Sequence, residues 1–401
     1  MTAPQFLPGH SLVLLECGAA FFAALLRAID ASAAEVRLET YIFHFDATGE
    51  QVAQALERAA LRGVRVYLVM DGVGTVHVPQ QWQQRWSRAG VQWHRFLPLG
   101  RTGLLFPMRW RRLHRKLCVV DAGMAFCGGI NVLDDWVDPQ YGALQSPRYD
   151  FSVQVSGPLV SDVRSAMQQF WQRLLLTRQI SQFEFDGARQ AWQSGDAMEP
   201  LVAPSEAAST GAMAALVLRD NERNRVRIER AYRKAIGDAR QEVLIANAYF
   251  LPGGKLRRAL VLAARRGVRV RLLLQGRYEY FLQYHATRPV ILSLLNAGVE
   301  VYEYQAGFLH AKVAVVDGHW ATVGSSNLDT LSLLLAREAN VVVQDAAFAG
   351  ELQQRLLAAM RQHSAAIDKY AYARRPWKQR CIDWAALAAV RALLFVTGRR
   401  Y

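Results

Sequence analysis

A histidine and a lysine two residues apart occur twice in the chain, each pair inside an apolar segment. They are His114 and Lys116 in "LHRKLCVVD", and His310 and Lys312 in "LHAKVAVVD". Side chains alternate faces along a β-strand, so the histidine and lysine of each segment point the same way. Imidazole can act as a nucleophile or a general acid, and lysine supplies positive charge for phosphate oxygens. If the two segments face each other, one histidine can attack a phosphorus atom while the other protonates the leaving oxygen.

Two aspartates, Asp121 and Asp317, complete the repeated catalytic motif, each seven residues after its histidine. Because this offset is odd, a regular strand would point them to the opposite face. We therefore expect them to close the strand or to hold a neighbouring loop, without touching phosphate. The histidines and lysines are the stronger candidates for the chemistry.

A turn of small residues that ends in asparagine follows each motif: "GGIN" from Gly128 to Asn131 and "GSSN" from Gly324 to Asn327. Small residues let backbone N–H groups approach an anion closely, and an asparagine amide can donate to it. These turns predict phosphate contacts. The predicted phosphate-binding residues are Gly129, Asn131, Ser325 and Asn327.

An acidic residue leads a predicted strand later in each copy: Asp150 in "YDFSVQV" and Glu338 in "REANVVV". A carboxylate that accepts from one nitrogen of a histidine sets the tautomer and the orientation of the ring. We expect Asp150 and Glu338 to orient the two histidines in this way.

The motif lies within a chain that is doubled throughout. Matched blocks occur in the same order in both copies: "VRLETYIF" with "VLIANAYF", "ALRGVRVYLVMDG" with "ARRGVRVRLLLQG", and "AGVQWHRF" with "AGVEVYEY". A single His-x-Lys would be typical of an edge strand or a buried structural histidine. The recurrence of the whole set in register indicates two copies of one fold that share a site.

Each copy alternates β-rich runs with helical patterns, such as "QVAQALERAALRG", which ends in a glycine. This predicts an α/β protein of two pseudo-symmetric domains, each a mixed, mostly parallel sheet flanked by helices, with the active site at their interface. The predicted units are an N-terminal domain at 1–190, a linker at 191–215, a C-terminal domain at 216–370 and a basic amphipathic tail at 371–401.

The copies differ by an insertion of about 12 residues before His114, within the segment from Leu97 to Arg112, "LPLGRTGLLFPMRWRR". The segment mixes arginine with leucine, phenylalanine, methionine and tryptophan. It is either a basic surface loop or a loop that inserts apolar side chains into lipid while arginine meets headgroups.

Composition bounds the partners and the compartment. The chain has 401 residues, 52% hydrophobic, with a formal net charge of +14, so an anionic partner is expected, either nucleic acid or an acidic membrane surface. Its four cysteines form no CxxC pair, which favours buried thiols in a reducing compartment. We read no signal peptide and no membrane-spanning segment. The C-terminal stretch from Tyr372 to Tyr401 predicts a helix that lies on a membrane or docks on its own domain.

The doubled HxKxxxxD motif with its turn and asparagine resembles the phospholipase D superfamily. The blocks "LETYIF", "IANAYFLPG", "HWATVGSSNLD" and "REANVVV" are similar to the bacterial cardiolipin synthases, most of all to their shorter B type, which lacks paired N-terminal spans. The chain departs from relatives in "LLLAREANVVV", where they often place an asparagine shortly before the glutamate. The chain therefore lacks the side chain that would make such a contact.

The resemblance implies an enzyme that joins two phosphatidylglycerol molecules into cardiolipin and releases glycerol. It implies that His114 forms a covalent phosphatidyl-histidine and that His310 acts first as an acid and then as a base. No metal or other cofactor is expected. The implied partner is an anionic phospholipid surface, with no nucleic acid, on the cytoplasmic face of a bacterial inner membrane.

Two other functions remain open at this point. One is a phospholipase D-type phosphodiesterase that hydrolyses phospholipid or, in poorer agreement with the flanking blocks, nucleic acid. The other is a non-catalytic membrane-binding scaffold, against which the completeness of both motifs argues.

Overall fold

The structure is a computed structural model that describes residues 5–100, 110–181, 211–220, 224–277, 281–329 and 336–396. Most of the predicted linker and residues 101–109 of the predicted insertion lie outside the described residues, so neither interpretation of that insertion is tested.

The strands, in chain order, are β1 (Leu7–Glu16), β2 (Glu35–Thr40), β3 (Arg65–Asp71), β4 (Gln92–Phe96), β5 (Arg112–Leu113), β6 (Lys116–Val120), β7 (Met124–Gly128), β8 (Val137–Asp138), β9 (Gly142–Ala143), β10 (Phe151–Ser156), β11 (Ala212–Arg219), β12 (Glu242–Asn247), β13 (Phe250–Leu251), β14 (Arg269–Gln275), β15 (Glu300–Tyr304), β16 (Lys312–Val316), β17 (Trp320–Gly324), β18 (Leu328–Asp329), β19 (Ala336–Gln344) and β20 (Ser364–Ala366).

The helices are α1 (Cys17–Asp30), α2 (Ala47–Leu61), α3 (Gln80–Ala89), α4 (Leu159–Ser181), α5 (Arg227–Asp238), α6 (Gly254–Arg265), α7 (Phe281–Asn296), α8 (Ala346–His363), α9 (Lys369–Ala373) and α10 (Trp377–Val396). No helix in the described part of the chain combines the length and the hydrophobicity needed to cross a membrane.

The two halves contribute matching strands to one sheet. The first half runs β1-β10-β7-β6-β2-β3-β4, and the second runs β11-β19-β17-β16-β12-β14-β15-β20. The halves join where β1 pairs antiparallel with β11. The predicted α/β class and the doubled, pseudo-symmetric architecture are therefore confirmed.

The sheet is mixed, as predicted; its parallel pairs lie towards the outside, and antiparallel pairs outnumber them among the described strands. β2, β3 and β4 are parallel neighbours, as are β12, β14 and β15. The strands that carry the motifs are antiparallel, because β6 and β7, like β16 and β17, are joined by short turns that reverse the chain.

Local signals explain how the flanking helices form. At the start of α2 the Asp46 carboxylate accepts the Gly49 N–H at 2.9 Å, and Gly63 follows its end with φ of 88°. Gly267 follows α6 with φ of 90°. A glycine thus follows the end of both helices, as the sequence predicts, and each helix returns the chain to the next parallel strand.

Helices cover both faces of the sheet. Apolar side chains of α1, α2 and α3 pack on one face of the first half, and those of α5, α6 and α7 on that of the second. The opposite face holds α4 and α8, which share one core with strands from both halves. Buried side chains there such as Val163 and Leu352 each contribute roughly 1.5–3 kcal/mol. This shared core holds the two halves in register.

Described residues show where the predicted linker gives way to a strand and how the helix of the predicted C-terminal tail packs. β11 begins at Ala212, so the last residues of the predicted 191–215 linker are strand, because they pair with β19. The C-terminal helix α10 is docked on the domain through Ala386, Leu387 and Val390, which join the core beneath α7.

Candidate active site

The segment that ends at His114 is hydrogen-bonded to the opposite half of the chain. β5 runs parallel to the start of β19, with Leu113 beside Arg337. The backbone N–H of His114 then donates to the Arg337 carbonyl at 3.0 Å. His114 is therefore positioned by the strand that also carries Glu338.

The second half repeats this arrangement in reverse. Leu309 forms a parallel bridge with Tyr149, and the N–H of His310 donates to the Tyr149 carbonyl at 2.8 Å. Tyr149 directly precedes Asp150. Each histidine is thus fixed next to the acid of the other half.

The histidine rings and the acids pair across the halves. Nδ1 of His114 lies 2.9 and 3.1 Å from the two carboxylate oxygens of Glu338. Nδ1 of His310 lies 2.6 Å from Oδ2 of Asp150. A carboxylate at Nδ1 favours the tautomer with its proton there, which leaves Nε2 to react. Both histidines line one cleft.

Both lysines are buried close to their histidines. Nζ of Lys116 donates to the His114 carbonyl at 2.7 Å and lies 5.4 Å from the centroid of the Tyr41 ring. Nζ of Lys312 donates to the His310 carbonyl and lies 2.7 Å from Nδ1 of that ring. It also lies 3.6 Å from Oδ2 of Asp150. The lysines lie next to the histidines but are not among the residues that line the cleft, so they place positive charge beside it.

Burial lowers the pKa of both histidines, because it penalises the imidazolium form. The pKa of His310 falls to about 3, with the Lys312 cation as the next cause and Asp150 opposing it. The pKa of His114 is also lowered by burial, while Glu338 opposes the shift. Both imidazoles are consequently mostly neutral at pH 7 in the free site.

The acids and Lys116 complete the electrostatics. Burial alone would raise the pKa of Asp150, but Lys312 and His310 reverse the effect and hold that pKa below its usual range. The pKa of Glu338 is lowered in the same way, against burial, by His114 and Lys116. Burial, aided by the Lys312 cation, lowers the pKa of Lys116 to about 7. An anion in the cleft would raise the pKa of Lys116 and of both histidines.

Two of the predicted phosphate-binding residues make contacts with the acids and the neighbouring backbone. The Ser325 hydroxyl donates to Glu338, and the Ser325 N–H donates to the Ala339 carbonyl at 3.0 Å. The Gly129 N–H donates to the Phe151 carbonyl at 2.9 Å, and a Cβ at Gly129 would overlap the Asp150 carboxylate. These contacts hold the acids and the adjacent backbone, and phosphate contact by Gly129 and Ser325 stays a prediction.

The two asparagines do reach the cleft. Asn131 and Asn327 are buried and line it. Oδ1 of Asn131 accepts the Ile42 N–H at 3.2 Å, which turns its NH₂ group away from that backbone. Oδ1 of Asn327 is buried with no hydrogen-bond partner among the described residues. Their role as phosphate ligands stays a prediction.

The motif aspartates lie at the far ends of their strands. Asp121 accepts the backbone N–H groups of Ala33, Ala34 and Glu35 at 2.7–2.8 Å. Asp317 accepts three from residues 240–242 at 2.8 Å each. These contacts are structural, as expected from the odd offset, and the assignment of Asp121 and Asp317 to the catalytic set stays a prediction.

The cleft between the halves has a volume of about 490 Å³. Residues that the sequence analysis did not single out also line it: Tyr41, Ile42, Trp110, Arg112, Tyr249, Leu251, Leu282, Gln283, Asp329, Ala336 and Val390. The tyrosines were detectable, since they follow the carboxyl ends of β2 and β12, where α/β proteins bind ligands. Trp110 and Arg112 end the predicted insertion, so part of it reaches the cleft.

The cleft is lined by two histidines and two asparagine amides, with the buried lysines beside it, a set suited to a phosphodiester. Within the described ranges no group of three or more His, Cys, Asp or Glu residues is arranged to hold a metal ion.

Comparison with known proteins agrees with this site. A family model described as "Cardiolipin synthase, PLD-like domain" matches residues 25–141 and 232–360, one match in each half. The chain is 37% identical to cardiolipin synthase B of Escherichia coli (strain K12) over 378 residues, 92% of this chain and 85% of the relative. It is 32% identical to cardiolipin synthase A of Pseudomonas aeruginosa (strain LESB58) over 89% of this chain and 68% of the relative.

The fold is similar to the crystal structure of phosphatidylserine synthase from Haemophilus influenzae Rd KW20. The TM-score is 0.68 at 14% sequence identity, covering 98% of this chain and 96% of that one. The fold and the paired histidines define a phosphatidyltransferase of the phospholipase D type. The chain belongs to the cardiolipin synthase family of phospholipase D-like proteins, which confirms the resemblance stated from its sequence.

Proposed function

We propose that the chain transfers a phosphatidyl group from one phosphatidylglycerol molecule to another, which gives cardiolipin and glycerol. The observation that carries this proposal is the crossed pairing, in which two histidines from different halves line one cleft, each held by the other half's acid. The names of the relatives direct it towards cardiolipin. They have no bearing on how the steps are divided between the histidines.

In the first step Nε2 of His114 attacks the phosphorus of phosphatidylglycerol. A P–N bond forms, the P–O bond to the headgroup glycerol breaks, and His310 gives its proton to the leaving oxygen. His310 acquires that proton as the anionic substrate enters, because the phosphodiester opposes the effects of burial and of the Lys312 cation, which lower the pKa of His310.

In the second step the primary hydroxyl of another phosphatidylglycerol attacks phosphorus. His310 accepts the hydroxyl proton, the P–N bond breaks, and His114 is regenerated. The lysines, Asn131 and Asn327 stabilise the charge on the phosphoryl oxygens in both steps. The acids keep each Nδ1 occupied, so that both reactions use Nε2.

The same proposal covers the surroundings of the enzyme. We place it peripherally on the cytoplasmic face of a bacterial inner membrane, with the net charge of +14 directed at anionic phospholipid and not at nucleic acid. We also propose the domain division at 1–190 and 216–370, with the strand β11 assigned to the second domain and the tail beginning near 371.

Turnover of phosphatidylglycerol vesicles by the purified chain in the presence of a chelator tests the reaction, with lipid products identified by mass. Cardiolipin together with glycerol is expected. Phosphatidic acid alone would assign the chain to the hydrolases. The absence of any product would indicate a non-catalytic scaffold. His114→Ala and His310→Ala should abolish turnover, whereas His319→Ala, at an exposed histidine close to the second motif, serves as the matched control.

A trapping experiment tests the order of the histidines. Brief exposure of the His310→Ala chain to phosphatidylglycerol labelled in its phosphate should leave label on His114 if the leaving step proceeds slowly without its acid. If peptide mapping finds label on His310 in the His114→Ala chain and no label on His114 in the His310→Ala chain, the assignment is reversed.

A further inference from the structure

The C-terminal helix α10 has two faces of different chemistry. Its buried face is made by Asp383, Ala386, Leu387 and Val390, whose spacing puts them on one side of a helix. The remaining described side chains of the helix are exposed. The helix is therefore held by one stripe and presents the rest of its surface outward.

The buried stripe fixes α10 to the wall of the catalytic cleft. Oδ1 of Asp383 lies 2.7 Å from Nδ1 of His285 on α7, and Oδ2 lies 3.1 Å from Nη1 of Arg375. Val390 lines the cleft together with Leu282 from the start of α7. Asp383 is thus beside His285, and the later residue Val390 shares the cleft with the earlier residue Leu282. The two helices therefore run antiparallel, with the later turns of α10 at the cleft.

The outer face carries two exposed tryptophans. Trp377 is 69% exposed and Trp384 is 57% exposed. They are seven residues apart, so they lie on the same side of the helix, with the exposed Cys381 between them. Large aromatic side chains left this exposed are favourable where an apolar ring meets a wet, polar boundary.

Basic residues flank this aromatic stripe. Lys378 and Arg380 are exposed near its start, and Arg391 is exposed nearer the cleft. The only acidic residue in the sequence of α10 is Asp383, which is buried and paired. The outer face is therefore apolar along its middle and cationic at its sides, a pattern typical of helices that lie in the interface of an anionic membrane.

We propose that the outer face of α10, defined by Trp377, Lys378, Arg380, Cys381, Trp384 and Arg391, docks on an anionic phospholipid bilayer with the helix axis in the plane of the headgroups. Because the opposite face of α10 helps to wall the cleft, this contact holds the cleft one helix diameter, about 10 Å, from the lipid surface. The effect of this contact on turnover rests on the proposed function, because that effect requires a lipid substrate. Binding to the bilayer does not depend on the proposed function.

The occupant is a bilayer and not a second copy of the chain, because the charged side chains that define this face are all cationic and would repel their duplicates. A headgroup layer rich in phosphate is complementary to it. Raised ionic strength should weaken the contact, since exposed charges are screened.

Binding is measured by co-sedimentation of the full chain with phosphatidylcholine vesicles that contain phosphatidylserine, without turnover. Trp377→Ser with Trp384→Ser, and separately Lys378→Gln with Arg380→Gln, should each lower the partition coefficient roughly tenfold or more. Leu61→Ser with Leu262→Ser is the matched apolar control, and Arg65→Gln with Arg265→Gln removes the same charge elsewhere. These four residues are exposed and lie outside the cleft lining. Circular dichroism and thermal melts verify that every variant is folded.

Turnover separates this proposal from the reaction. For the tryptophan variant, the ratio of turnover on vesicles to turnover in detergent micelles should fall in step with binding. If that variant binds vesicles as the unmodified chain does, the docking surface is overturned even when cardiolipin forms. If vesicle binding depends on the face but no cardiolipin forms, the reaction fails and the surface stands. A dimer in solution that the tryptophan variant dissociates would also overturn the bilayer assignment.

Discussion

Glu338, from the second half of the chain, holds the imidazole of His114, from the first half, with Nδ1 2.9 and 3.1 Å from its two carboxylate oxygens. Asp150 holds His310 in the reciprocal sense, at 2.6 Å. Neither half therefore contains a complete histidine–carboxylate pair. The duplication does more than supply two histidines, because each copy orients the reactive group of the other.

The crossed acids should control turnover more than binding. Glu338→Gln and Asp150→Asn remove the charge that favours the Nδ1–H tautomer, so kcat should fall by roughly 100-fold or more while KM for phosphatidylglycerol changes little. Steady-state kinetics in mixed micelles measures both constants. Glu351→Gln on α8, whose side chain is 48% exposed, is the control. A kcat near that of the control would show that the acids do not orient the histidines.

The equivalent turn positions Gly129 and Ser325 should respond differently to substitution. Gly129→Ala pushes a Cβ into the Asp150 carboxylate, so we expect a loss of stability of about 1–3 kcal/mol and a large drop in kcat. Ser325→Ala removes one hydrogen bond to Glu338 without a clash, and the loss in kcat should be only roughly tenfold. Urea unfolding and kinetics on both variants measure the contrast. Equal effects, or direct weakening of substrate binding alone by Ser325→Ala, would support the phosphate-binding interpretation.

The pH dependence of kcat/KM should show the titration of Lys116. Its pKa of about 7 in the free site means that the ammonium loses its proton as pH rises through that value. Capture of an anionic headgroup, and with it kcat/KM, should therefore decline on the alkaline side of about pH 7. The residual activity of Lys116→Gln should lack this limb. A decline that persists in the variant would assign it to another group.

Substrate binding should also take up protons, because an anion raises the pKa of Lys116 and His310. Calorimetry with a non-reacting phosphodiester lipid in buffers of different ionisation enthalpy measures the number of protons taken up at pH 7. We expect a positive value in the unmodified chain and a smaller one in Lys116→Gln. Proton release on binding would contradict the proposed electrostatics.

The motif aspartates should matter for stability and not for chemistry. Asp121→Asn and Asp317→Asn each weaken a cluster of three backbone hydrogen bonds, at a cost of about 1–2 kcal/mol in the free energy of unfolding. Backbone N–H donors hold the pKa of both acids below its usual range even though burial opposes this. Their stabilisation is thus present above the unfolded pKa and is lost as pH falls through the lower folded pKa. Denaturation curves at pH 7 and at acid pH measure both effects, and a selective loss of kcat in the folded variants would assign these acids to the active site.

Much of this protein could be derived from its sequence, because the information was local and repeated. The spacing and repetition of the motif indicated that each histidine acts with its lysine and that Asp121 and Asp317 stand apart, although β6 and β16 begin only at the lysines, so the histidines precede the strands. The glycines after α2 and α6 mark helix ends. The doubled motif carried the family. Each of these inferences needs only residues that are close together in the sequence, or the repetition of a short motif.

Other features depend on contacts between residues far apart in the chain. Asp150 and Glu338 were recognisable as orienting acids, but their exchange between halves follows from the pairing of β5 with β19 and of Leu309 with Tyr149. Ser325 and Gly129 were predicted to bind phosphate. In the structure the Ser325 hydroxyl donates to Glu338, and the Asp150 carboxylate lies where a Cβ of Gly129 would be. Local sequence shows which groups a turn offers, whereas only packing of the two halves decides which partner reaches them first.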